Sequence, residues 1–140
     1  MHLHLRLAAL LCTISLAACH GGPLLGPCSY GALNSGIDAV DASSDTPASK
    51  AGNLERYGGK MVACGLQPTS FFTLDARALL RAGFDREKAH GQKAAFKDFT
   101  DAATMVQNIA DDQTADSQVR SDASDVLKQT NDALAAWPTK

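Results

Sequence analysis

Beyond residue 20, apolar positions recur at helical rather than strand spacing. Ala95, Phe99, Ala102, Val106 and Ile109 follow one another at intervals of 4, 3, 4 and 3. That spacing lines one face of a helix, and it predicts a helix over about Gln92 to Ile109, with Phe96 and Ala103 widening the face. The polar run Asp111-Asp112-Gln113-Thr114 breaks the pattern. A second stripe follows through Val119, Ala123, Val126, Thr130, Leu134 and Trp137, with Leu127 beside it, and Pro138 stops it. Two helices joined by a short polar connection are expected to pack as an antiparallel hairpin. Trp137, on the stripe, is expected in the core.

Upstream the pattern is weaker. Asn53 is placed to cap a helix through Leu54, Tyr57, Met61 and Cys64 that ends at Gly65, with Gly58-Gly59 weakening it. Another helix is expected over Leu74 to Ala82, with Leu79 and Leu80 inward and Gly83 after its end. Ser29 to Val40 is a fainter helical segment. Ala42 to Gly52 is rich in Ser, Asp, Thr, Pro and Gly and reads as an exposed loop. Val and Ile together supply only seven of the 27 large apolar residues from His20 to Lys140. They are scattered and no stretch alternates as a half-buried strand does, so the fold class expected is all-α, a small bundle of four or five helices.

The amino terminus follows a different pattern. Arg6 is the one positive charge before an apolar core, Leu7 to Leu16, interrupted by Thr13 and Ser15 and followed by small residues. This is the three-part shape of a secretory signal, and the run is far shorter than the roughly 20 residues a spanning helix needs. The residues Leu16-Ala17-Ala18-Cys19 resemble the lipobox of bacterial lipoproteins: an aliphatic residue, two small residues, then Cys. The resemblance implies a signal peptide over 1–18, diacylglycerol on the Cys19 sulfur, cleavage before Cys19, and acylation of the new amino terminus. His20, where an inner-membrane retention signal would have Asp, implies the outer membrane facing the periplasm. Ordinary cleavage, for example after Ala17, would instead leave a soluble periplasmic protein.

The mature chain opens on a tether. His20 to Pro27 holds three Gly and two Pro, which prevents a helix. Eight extended residues reach roughly 27 Å, so the helical domain, 28–140, would stand close to the bilayer. Cys28 and Cys64 remain outside the leader. In an oxidising compartment an even pair reads as one disulfide. Closing that ring would contribute about 3 to 4 kcal/mol in the chain-entropy picture. The alternative is two reduced, buried thiols.

Charge then narrows the function. The formal net charge is −2, which argues against nucleic acid as a partner. Its distribution is uneven: nine basic against four acidic residues from Lys50 to Lys97, and three against eight from Asp98 to Lys140. Arg77/Arg81 and Lys93/Lys97 each lie four apart, on common helix faces. Such faces would suit lipid headgroups or an acidic partner; equally, they would pack against helices of opposite charge.

Catalytic motifs do not emerge. His90 sits in a polar stretch with no local nucleophile and carboxylate to complete a triad. Asp111, Asp112 and Asp116 lack the spacing and glycine of a calcium loop and are better read as charges at the start of the last helix. Metal binding by Cys28 and Cys64 lacks further ligands. No cofactor is expected. The reading is a non-enzymatic, lipid-anchored interaction module with an envelope protein partner. Two narrower forms are an immunity protein against a periplasm-acting toxin and an accessory of secretion or envelope assembly. A cell-wall hydrolase is the less favoured alternative.

Overall fold

The computed structural model describes residues 28–137. The signal segment, Cys19, the tether and Pro138 therefore lie outside the described residues. Five α-helices follow in order: α1 (Tyr30–Asp41), α2 (Pro47–Met61), α3 (Pro68–His90), α4 (Gln92–Val106) and α5 (Ser117–Ala135). A 3₁₀ turn, Val62–Cys64, follows α2 directly. Among the described residues the fold is an all-α bundle with one disulfide, as expected from the patterning and from the cysteine pair.

The helix starts are set by local chemistry. Ser29 caps α1 by accepting from the Ala32 N–H, and Thr46 caps α2 by accepting from the Ser49 N–H. Pro47 then occupies the first turn of α2, where its missing N–H costs nothing. This corrects the expected start at Asn53. The loop shrinks to residues 42–46, and Ala51 is buried inside the helix. Asn53 instead points its amide back to the Asp45 carboxylate.

The larger correction concerns α3. It runs 23 residues, against the nine expected, and Gly83 lies within it rather than beyond its end. The reason is that α3 is the hub of the bundle and packs against all four other helices. Leu74, Ala78 and Ala82 face a cluster with Leu33, Ile37, Val40, Leu54, Tyr57 and Met61. Ala76 and Leu80, two positions on, face a second cluster with Phe99, Val106, Ile109, Val119 and Val126. Two residues turn a helix by about 200°, so the two sets look in opposite directions. A helix buried on two sides shows no single apolar stripe. Gly91, at φ 86°, then ends α3 and lets α4 turn back against it.

Small residues set how closely the helices approach. A Cβ on Gly36 would fall 2.0 Å from Tyr57 Oη, and one on Gly83 would fall 2.7 Å from Phe99 Cε1. Both rings are fully buried. Tyr57 crosses α1 at Gly36 and donates its hydroxyl proton to the Leu33 carbonyl at 3.1 Å. Phe99 fills the space over Gly83, with Phe84 edge-on at 5.2 Å.

Candidate interaction surfaces

Cys28 and Cys64 are joined, with their Cα atoms 5.3 Å apart. The described chain thus begins locked to the corner between α2 and α3. That corner is apolar on its outside. Val62, just after α2, is 64% exposed, and Phe72, early in α3, is 42% exposed. Phe71 beside it turns inward onto the first cluster, as do Leu66 and Cys64. Together with Phe96, Val62 and Phe72 make up the exposed large hydrophobic residues of the described chain.

Phe96 marks the other end of the molecule. Its ring lies 4.9 Å from that of Trp137. Gln92, at the start of α4, donates to the Ala136 carbonyl at 3.2 Å and fastens the tail of α5 there. Phe72 and His90 stand roughly 27 Å apart along α3, at about 1.5 Å per residue, so the aromatic pair lies far from the disulfide corner. Trp137, expected in the core, is half-buried instead, and Phe96 covers one side of it. His90 is exposed in the last turn of α3, with no ion pair among the described residues.

One of the two basic pairs, Arg77/Arg81, is met by a neighbouring helix. Arg77 reaches α1, bonding Asn34 and pairing with Asp38 at 2.8 Å, and Arg81 lies 3.8 Å from Asp41. Helices of opposite charge do pack side by side here: the acids that meet Arg77 and Arg81 come from α1, and the carboxyl-terminal half supplies Asp98 to Arg86. Lys97 pairs with Asp101 within α4, while Lys93 is exposed with no ion pair among the described residues.

One polar link crosses three helices. Arg86 of α3 donates Nε to Asp98 of α4 at 2.8 Å and pairs with Glu55 of α2. Burial pushes the Asp98 carboxyl up, although Arg86 opposes the shift. Tyr30 of α1 donates to Asp122 of α5 at 2.7 Å. Burial first, and the Asp122 carboxylate second, raise its phenol far above the ordinary range. Both links join elements of the bundle.

The acidic cluster is used in local turns. Asp116 caps α5 by accepting from the Gln118 N–H at 2.8 Å. Asp112 accepts from the N–H and hydroxyl of Thr114, which hold its carboxyl below the usual range. Among the described residues no three His, Cys, Asp or Glu side chains converge as metal ligands, and no helix is long and apolar enough to cross a membrane.

The apolar periodicity does not single out the exposed residues Val62 and Phe72. A signal for them exists. From Arg56 to Leu74 the chain carries Arg56 and Lys60 and no acidic residue. Comparison with protein-family models, curated proteins and solved structures finds no match to the chain.

Proposed function

We propose that this chain is a lipid-anchored protein of the bacterial envelope whose helical domain works by binding another protein, without catalysis. The observation that carries the reading is the Cys28–Cys64 disulfide, nine residues after the lipobox cysteine Cys19. A disulfide fits an oxidising compartment outside the cytosol, which is where a lipobox sends a chain. The two features are independent, since one rests on the leader and the other on the folded domain. Two or three acyl chains, at about 0.8 kcal/mol per buried methylene, make a stable anchor.

The aromatic pair Phe96 and Trp137 supports a protein-binding role. It lies at the end remote from Cys28, with Lys93 exposed nearby on α4. Aromatic residues and a rim of charge are common at protein interfaces.

Mass spectrometry of the mature amino terminus tests the address. The expected result is a diacylglyceryl cysteine at Cys19; an unmodified terminus at any other residue overturns the anchor. For the interaction, a photo-reactive residue at position 96 should give one stoichiometric cross-linked product in envelope preparations, and the same probe at Ser124 should not. Equal labelling at both positions, or none at 96, overturns the assignment of that face.

A further inference from the structure

We propose that the corner between α2 and α3 seats on the surface of the membrane that holds the anchor, through Val62 and Phe72, with Lys60 two residues from Val62. The inference rests on the lipid-anchor reading and goes beyond it, because a tethered domain need not touch the bilayer at all. Three observations converge on this corner.

The first is the path of the chain. Cys19 lies nine residues before Cys28, and Cys28 is bonded to Cys64 inside the corner. Nine residues extend at most about 31 Å, and the disulfide passes that limit directly to Cys64. Val62 is two residues from Cys64. The corner is therefore the part of the described domain that the tether keeps closest to the lipid.

The second is exposure. Among the described residues, two of the three exposed large hydrophobic side chains, Val62 and Phe72, lie at this corner, and both belong to regular helical turns. Interfacial segments bury such side chains roughly 5–10 Å into the boundary between headgroups and acyl chains. An aromatic ring is well suited to that depth.

The third is charge. The 19 residues from Arg56 to Leu74 contain two basic and no acidic side chains. Lys60 is exposed, and a long basic side chain lays its stem on apolar surface while the charge reaches headgroup phosphate; Arg56, one turn back, bonds Asn53. A protein whose acids outnumber its bases has kept this stretch free of them, which suits an anionic lipid surface better than a neutral one.

Quenching by brominated lipid tests the seating. The full-length lipidated protein carrying Phe72→Trp and Trp137→Phe is placed in vesicles of phosphatidylethanolamine and phosphatidylglycerol with brominated acyl chains. Emission from position 72 should fall roughly twofold or more, consistent with insertion to the acyl boundary. In the otherwise native chain, Trp137 should be quenched far less. Adding Val62→Glu, an exposed position that leaves the core intact, should abolish most of the quenching at 72. A lipidated amino terminus with equal quenching at 72 and 137, or none at 72, overturns the seating and leaves the anchor reading intact. An unlipidated terminus overturns the anchor reading itself. A change in emission from position 72 that follows protein density rather than brominated lipid means that a second copy covers the corner, and it overturns the seating as well.

Discussion

The two sides of α3 are held together differently. On one side, α1 and α2 are tied by connections that are long in sequence. These are the Cys28–Cys64 bridge, the Tyr57 hydroxyl on the Leu33 carbonyl, and Arg77 and Arg81 against Asp38 and Asp41. On the other side, α4 and α5 rely on apolar packing around Phe99, with Ala95, Ala102 and Ala123 fully buried between them. The ion pairs within them, Lys97–Asp101 and Lys128–Asp132, are exposed and add little; the polar links that do cross to this side are Arg86 on Asp98 of α4 and Tyr30 on Asp122 of α5. The difference follows from the lengths. α1 has 12 residues and buries three apolar side chains, Leu33, Ile37 and Val40. A helix that short is marginal alone, so cross-links hold it. α4 and α5 have 15 and 19 residues and form a hairpin, and they share a larger apolar face, so the links to Asp98 and Asp122 add to packing rather than replace it.

Removing the bridge breaks that contrast most strongly. Cys28→Ala with Cys64→Ala should cost up to about 4 kcal/mol for a ring of this size. Hydrogen exchange should then quicken in α1 and in the α2–α3 corner first, while α4 and α5 retain their protection. Loss of protection spread evenly over all five helices would show that the two sides unfold as one and would sink the division.

Glycines sharpen it next. Gly83→Ala should destabilise by about 1–3 kcal/mol, because the added carbon strikes the buried Phe99 ring, which must shift to admit it. The better helix propensity of Ala, worth about 1 kcal/mol, does not offset a contact that close. Gly59→Ala on α2 has open space around its Cβ and should stabilise by about 0.5–1 kcal/mol. Thermal melts of the two variants moving in the same direction would contradict this account of how α3 and α4 approach.

The same glycines explain what the sequence displayed and what it concealed. α4 and α5 each bury one face, so their spacing of apolar residues was readable, and their ends fell within a few residues of the expected positions. The disulfide followed from counting cysteines once the leader was set aside. α3 was concealed because it buries two faces, so Gly83 resembled a stop when it is a point of close approach. Asn53 resembled a cap because the better cap, Thr46 followed by Pro47, lay inside a stretch that composition marked as loop. The surfaces were harder still. Phe96 and Trp137 lie on the apolar stripes, and periodicity assigns a residue to a stripe without saying where the stripe runs out of neighbours. They stand near the ends of their stripes, where no further helix of the described chain covers them.

The smallest expected effect concerns the boundary between α2 and α3. A Cβ on Gly58 would fall 2.1 Å from Asp75 Oδ1, so α2 presses its backbone against that carboxyl. Among the described residues Asp75 has no ion-pair partner, and burial pushes its carboxyl above the ordinary value. The folded chain therefore keeps a proton at Asp75 at pH values where the unfolded chain has released it. The contribution of this group to stability is fully present below the unfolded carboxylate range and declines as pH rises through the folded value. Asp75→Asn removes the titration. It should raise stability near about pH 7 and converge with the native protein near about pH 3, where both side chains are neutral. Denaturant midpoints measured across that range decide the matter: a gain that does not change with pH, or a loss at neutral pH, would mean that the carboxylate has a compensating partner and that the α2–α3 contact favours its charge.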